Sequence, residues 1–442
     1  MMKPQKLPVL LTAGVLMISI AGCSAMGGMN PFNRKEKILP GERTAVMPQP
    51  GKEADVAEGS PAIGGASGLS DWSQPGGNAA NAPGNVSLAG SSGTQAWRAR
   101  VIDSAGKRNV RPSMPPLVHG GRIYVYDAGG TVSSLSAGGA KAWSVSLKPE
   151  GEKSRSPGGG IAASGNAVFA ATSYGEVVAL DAATGNRLWT FKMSAPARSA
   201  PTAAAGKIFV VGATNVLHAV NQADGTEAWQ YPGIPETAGV LSSASPAVSG
   251  DTVVVPYSSG EVVAFDAGSG ELKWADAVVR SSRTMAVSGF SDVAASPVIQ
   301  DGIAYASGVS GRTIAVRLAD GERVWEQTVG SAYTPAVSGN ALFVIDLADN
   351  MVALDRSSGK VFWRTELPVI RKKRFFSVWS GPTLAGSLLW AVSNDGRMIG
   401  VDPGTGNIAV DRELPSAAFI KPVAAGGQLL VLSGDVSLAA YQ

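Results

Sequence analysis

The sequence predicts an all-β fold, an eight-bladed β-propeller of four-stranded antiparallel blades, and three observations carry that prediction. A unit typified by GEVVALDAATGNRLW at 175–189 recurs along the chain. Short runs of Val, Ala, Ile and Leu are broken by Gly, Asp and Pro, with no long amphipathic helical pattern. Each end of the repeat array carries half of one unit, so the two halves complete a blade. Of 442 residues, 55 are Gly and only 16% are charged, a composition suited to short strands and tight turns.

The N-terminal 1–22 reads as a secretory signal: MMKPQK is basic, LPVLLTAGVLMISI is apolar, and Ile20-Ala21-Gly22 leads into Cys23. The apolar stretch is too short and wrongly flanked for a stable spanning helix. Cys23 is the only cysteine, so it has no partner for an internal disulfide. The segment resembles a bacterial lipoprotein signal, which implies acylation of Cys23; Ser24, in place of an Asp, implies the outer membrane. The alternative is an ordinary cleaved signal followed by a buried Cys. Residues 23–70 are rich in Gly, Pro, Ala and Glu and read as a lipidated flexible tether. Residues 71–93 read as an arm lying on the body, because Trp72 is too large an apolar surface to leave in solvent. The propeller itself is assigned to 94–442.

Units end at Trp143, Trp189, Trp229, Trp274, Trp325 and Trp363, with Val410 in a seventh slot and an isolated GTQAW at Trp97. Successive slots lie 38 to 51 residues apart, the length of a four-stranded blade. Within a unit, SAPTAAAG opens a first strand, KIFVVGA gives a second, VLHAV a third, and the fourth carries the tryptophan. In the third strand Val177 and Ala179 face one side and Val178 and Leu180 the other, so both faces need cover. Neighbouring blades supply it. Asp181 and Thr184 serve a turn in which Gly185 takes positive φ, and Trp189 fills the gap between blades. GTQAWRARV at the start lacks the strands before it and GDVSLAAY at the end lacks the one after it. Pairing 94–101 with the last strands closes the ring and removes its exposed edges.

Several function classes find no support. The formal charge is +3, part of it from Lys3 and Lys6 in the signal, so the body is near neutral and carries no footprint for nucleic acid. His119 and His218 fall far apart in the repeat and take structural roles, which leaves no His/Cys metal cluster. No nucleophile elbow, phosphate loop or dinucleotide fingerprint occurs, and Gly158-Gly159-Gly160 falls at a blade turn. No catalytic residue, cofactor or metal is therefore assigned. The pattern AxDxxTGxxxW resembles the pyrroloquinoline-quinone propeller repeat, making a quinoprotein dehydrogenase the enzymatic alternative. That family implies calcium-binding carboxylates, a catalytic Asp and often a Cys pair, and one cysteine excludes the pair.

The information about function lies in the loops between blades, which emerge on one face and differ in length. EQTVGSAYTP is short, whereas SVSLKPEGEKSRSP, ADAVVRSSRTMAVSGFSDVAASP and RTELPVIRKKRFFSVWSGP are long. The last places Arg371, Lys372, Lys373 and Arg374 before Phe375, Phe376 and Trp379. Two readings stand: a protein interface, or a solvated turn with Phe376 and Trp379 tucked beneath the ring. Lipoprotein signal, tether and propeller together resemble the BamB family of the β-barrel assembly machinery. ARSAPT at 197–202 and SDVAASP at 291–297 resemble two loops of that family, and the match implies that Arg198 and Asp292 contact the POTRA domains of BamA. Ala197 stands where the family has Leu, and Ala294 replaces a second Asp. WSQPGGN at 72–78 resembles an element of alphaproteobacterial members. The resemblance implies a non-enzymatic, lipid-anchored scaffold on the periplasmic face of the outer membrane. It would work with BamA, other lipoproteins of the machinery and nascent outer membrane proteins, the last by β-augmentation. A docking propeller of another envelope complex is the remaining alternative.

Overall fold

Short β-branched and Ala-rich runs, each ended by a glycine turn, give every repeat four strands in a meander. The structure, a computed structural model, describes residues 56–90, 93–101, 114–152, 158–235, 244–278, 293–369, 377–434 and 437–442. Among the described residues there are 32 strands and no helix, arranged in eight four-stranded antiparallel sheets. Numbered along the chain, blades one to seven begin with the first strands Leu117–His119, Gly159–Ser164, Thr202–Ala204, Ala247–Ser249, Val298–Gln300, Ala336–Ser338 and Trp379–Ala385. Blade eight takes three strands from the C-terminal end, and Gln95–Arg100 pairs antiparallel with Ser437–Tyr441 as its fourth. The ring thus closes through the ends of the repeat array, as the half-units predict.

First strands of neighbouring blades approach one another and line the hub. Turns after the first and third strands of each meander lie on one face of the ring, called here the turn face. Turns after the second strand and the connections between blades lie on the other, the loop face.

The third strand of blade two, Glu176–Asp181, illustrates the packing: Val177, Val178, Ala179 and Leu180 are all buried. The turn that follows is built as the sequence predicts. Asp181 Oδ1 accepts bonds from the Thr184 N–H at 2.8 Å, the Ala183 N–H at 3.1 Å and the Thr184 hydroxyl at 2.7 Å, and Gly185 has φ of 77°. The tryptophan reaches across to the next blade. Trp143 Nε1 donates to Ala182 O at 3.2 Å, Trp189 Nε1 to Gln222 O at 2.9 Å and Trp229 Nε1 to Ala267 O at 3.3 Å. Trp274, Trp325 and Trp363 repeat the bond to Leu318, Arg356 and Pro403. In each case the indole lies against the turn glycine of the following blade, so a Cβ there would meet the ring at under 3 Å. Trp97 lies against Gly139 in the same way, but its Nε1 is buried without a partner among the described residues.

Val410 in the seventh slot has a compensation. It pairs with Gly400, which pairs in turn with Trp390, and the Trp390 ring lies 3.3 Å from where a Gly400 Cβ would be. Other blades place Tyr124, Phe169, Phe209, Tyr305 or Phe343 at the position of Trp390, each ring near its own blade's tryptophan. Blade seven has moved its large ring two strands inward, from the fourth strand to the second.

Residues 56–90 run round the turn-face end of the hub and bond to every blade. Asn340 N donates to Ala62 O, Gly426 N to Leu69 O, Val118 N to Trp72 O, Ala163 N to Ser73 O, Val248 N to Ala79 O and Ile299 N to Ala80 O, at 2.7 to 3.1 Å. Gln74 serves two blades: Nε2 donates to Ala163 O at 3.3 Å and Ala203 O at 3.1 Å, and Oε1 accepts from Ala203 N at 3.1 Å. Val86 N then donates to Leu384 O at 3.2 Å and Ala89 N to Gly427 O at 2.8 Å. Trp72 is buried at the hub. Residues 56–70, which composition alone assigns to the tether, are thus bonded to the ring, because their backbone groups find partners on blades six and eight.

Candidate docking face

A proline stands at or near the loop-face start of the first strands, as in Ala200-Pro201-Thr202 and Gly381-Pro382-Thr383, and the two threonine hydroxyls join neighbouring blades. Thr202 Oγ1 donates to Pro246 O and Thr383 Oγ1 to Pro422 O, both at 2.7 Å. The Thr of ARSAPT is therefore a structural link, and it fixes the loop from which Arg198 projects.

That loop is clasped on both sides. Ala197 N donates to Thr172 O of blade two at 3.0 Å; Arg198 N donates to Val211 O at 3.0 Å and Ala213 N to Pro196 O at 2.8 Å, both within blade three. Ala197 is buried, so its side chain offers no surface to a partner; extended alternation turns it inward and leaves its neighbour outward. Arg198 is partly exposed, and its guanidinium donates to Asn215 Oδ1 at 3.3 Å. Asn215 is buried in a left-handed turn, φ 61°, where its Nδ2 donates to Ile234 O and Ser258 Oγ, both at 2.7 Å.

Ser258 belongs to blade four, and the neighbouring Tyr257 accepts from Val293 N at 3.3 Å. Asn215 and the 257–258 turn therefore bring the Arg198 loop beside the segment that starts at Val293. Asp292 precedes Val293 directly but lies outside the described residues, as do Cys23 and the cluster Arg371, Lys372, Lys373 and Arg374. Ala294 is buried, and it lines the hub. Trp379, the aromatic read beside the basic cluster, is fully buried at the start of blade seven and donates from Nε1 to Pro368 O at 3.0 Å. It contributes nothing to a surface, as the tucked-under reading has it; Phe375 and Phe376 lie outside the described residues.

Exposed apolar side chains mark the same face. Ile234 (54% exposed) follows an outer strand, Leu347 (52%) tips a second-strand turn, and Val369 and Val378 are exposed near residues 370–376 in the sequence. Reading the sequence alone missed Ile234 and Leu347; a leucine between acidic residues in IDLADN was the available signal. Both histidines bond within the fold: His218 Nδ1 lies 2.6 Å from Glu227 Oε1, and His119 Nδ1 lies 3.1 Å from Asp71 Oδ2.

The family model described as outer membrane protein assembly factor BamB matches residues 79–152, 128–365 and 352–442. BamB of Escherichia coli strain K12 is 26% identical over 337 residues, which cover 75% of this chain and 84% of that protein. BamB of Yersinia pestis is 23% identical over 337 residues, 74% of this chain and 83% of that protein. The crystal structure of BamB from Moraxella catarrhalis superposes with a TM-score of 0.65 at 19% identity, covering 79% of this chain and 99% of that one. Quinohemoprotein alcohol dehydrogenase from Comamonas testosteroni superposes equally well, with a TM-score of 0.67 at 14% identity over 85% of this chain and 81% of that one. The fold alone does not separate an assembly factor from a dehydrogenase. The sequence does, and the chain belongs to the BamB family of outer membrane protein assembly factors.

Proposed function

We propose that the protein is a non-enzymatic scaffold lipoprotein of the β-barrel assembly machinery, held by an acylated Cys23 on the periplasmic face of the outer membrane. Its loop face docks the POTRA domains of BamA. The observation that carries this reading is the clasped loop at 196–198, which projects Arg198 beside the Val293 segment and within a face bearing exposed Ile234 and Leu347. A cation on a rigid support with apolar neighbours suits a protein interface. Ala197 acts by fixing Arg198 rather than by contact. Asp292 and Arg371, Lys372, Lys373 and Arg374 are assigned to the same docking contact from the sequence, and other lipoproteins of the machinery share the assembly.

Outer strands supply the second element, an edge for nascent outer membrane proteins. Blade six already has such a pairing within the chain: Val56 lies parallel to Val361, and Ala57 N donates to Val361 O at 2.9 Å. Exposed Leu188, Leu272, Val324 and Ile408 stand on the outer strands of other blades. Main-chain pairing beside such side chains is how β-augmentation works.

The hub does not fit a quinone held with calcium. Among the described residues no three His, Cys, Asp or Glu converge on one point, and the cavity there has a volume of about 170 Å³, near that of a benzene-sized void.

Affinity purification of the lipidated chain from solubilised envelopes tests the proposal. The expected result is co-purification of BamA, lost when Arg198→Glu is combined with Asp292→Arg. Absence of BamA, or its undiminished recovery with that double variant, would refute docking.

A further inference from the structure

The arm makes the hub a blind funnel. Pro75 forms its floor, Met114, Phe419 and Ile420 give apolar walls, and Thr334 and Lys421 add polar groups. The cavity of about 170 Å³ is open toward the loop face, where the first strands begin.

Lys421 is the unusual member. Among the described residues it has no carboxylate partner; its Nζ lies 5.9 Å from the centre of the Trp72 ring. Burial alone pulls its ammonium pKa down to about 8. A desolvated cation without a counter-charge is unfavourable, and a ring face offsets only part of that. Beneath Lys421 a smaller chamber is lined by Trp72 and Asn81, both buried, and the Trp72 Nε1–H and Asn81 Oδ1 have no hydrogen-bond partner. Its volume of about 10 Å³ has room for one water at most. Two donors without an acceptor, the Lys421 ammonium and the Trp72 indole N–H, thus collect at the closed end of an apolar cup, beside one unpartnered acceptor, Asn81 Oδ1.

We infer that this funnel binds a small organic carboxylate with a flat apolar body, its carboxylate paired with the Lys421 ammonium and its body between Met114 and Phe419. A single cation with an apolar wall suits one negative charge on a hydrophobic body. Inorganic phosphate would bring more charge and no apolar surface, and it would need more donors than the funnel offers. The inference is separable from POTRA docking, since Met114, Phe419 and Lys421, which would hold the ligand, lie outside the Arg198 loop.

Isothermal titration of the full chain with benzoate, at about pH 6.5 where the ammonium is charged, tests the site. Saturable binding of one benzoate is expected. Benzyl alcohol, the neutral analogue, and inorganic phosphate should each bind at least about tenfold more weakly, and Lys421→Met should weaken benzoate by at least about tenfold. Lys421→Met removes an unpaired, half-buried charge, so its melting temperature should equal or exceed that of the wild type. The wild type alone gives a further readout: benzoate affinity should fall about tenfold per pH unit above pH 8 as the ammonium discharges. Tyr333 is the other titratable residue lining the funnel, and burial raises its pKa, so it stays neutral in that range. No saturable benzoate binding, equal binding by Lys421→Met, or an affinity flat from about pH 7 to 9.5 would overturn the site.

Discussion

At the scale of single residues, the turn glycine and the tryptophan of adjacent blades constrain each other. Gly225 has φ of +75° and a Cβ there would stand 2.6 Å from the Trp189 ring, whereas Gly206, φ +71°, has nothing within 4 Å. Gly206→Ala should cost about 1–2 kcal/mol, the left-handed penalty. Gly225→Ala adds overpacking of about 1–3 kcal/mol. Urea midpoints of the two variants measure the difference, and equal shifts would mean that the ring and the glycine do not interlock. The turn carboxylates predict acid lability. The Thr184 hydroxyl, then the Thr184 N–H, hold Asp181 below its usual range, and the Ser269 N–H and hydroxyl do the same for Asp266. A depressed folded pKa stabilises above the unfolded value near about 4 and loses that contribution as pH falls through the folded one. Stability should hold from neutral pH to about pH 4 and then decline, and Asp181→Asn with Asp266→Asn should flatten the decline in a pH series of urea midpoints. The motif was legible because one turn keeps all its partners within a few residues. The replacement of a Trp at 410 by Trp390 was not, because the two positions meet only across paired strands.

At the scale of elements, the arm differs from the blades in having no periodicity for a sequence to reveal. Its course is set by hydrogen bonds to eight blades that become neighbours only in the closed ring. Gln74 is a buried side chain with three bonds to blades two and three. Gln74→Ala should lower stability by about 1–3 kcal/mol, the cost of leaving buried backbone groups unpaired, read as a shift in the urea midpoint. No shift would mean that the arm is not held at the hub. The docking loop was legible in part. ARSAPT marks where a first strand begins, and Arg198 stands out as its only charge. Neighbours in sequence are not neighbours in role, however: alternation buries Ala197 beside it. Ile234, Leu347 and Lys421 acquire meaning only from the ring, which sets two of them on the loop face and the third at the hub.

At the scale of the whole molecule, closure separates two tasks. Repeated devices at the blade junctions hold a rigid body, while in the proposed function unequal loops on one face carry recognition. This division explains why the repeat holds no chemistry and why an assembly factor and an alcohol dehydrogenase share the fold. Docking through the loop face is the central claim, and the direct measurement is the affinity of the lipid-free chain for the isolated POTRA region of BamA by biolayer interferometry. Arg198→Glu should weaken binding by at least about tenfold, or about 1.4 kcal/mol. Arg187→Glu, an exposed charge where the outer strand Arg187–Lys192 leaves the turn face, should leave it unchanged. Equal affinities for wild type and Arg198→Glu, or an equal loss from Arg187→Glu, would contradict docking through this face.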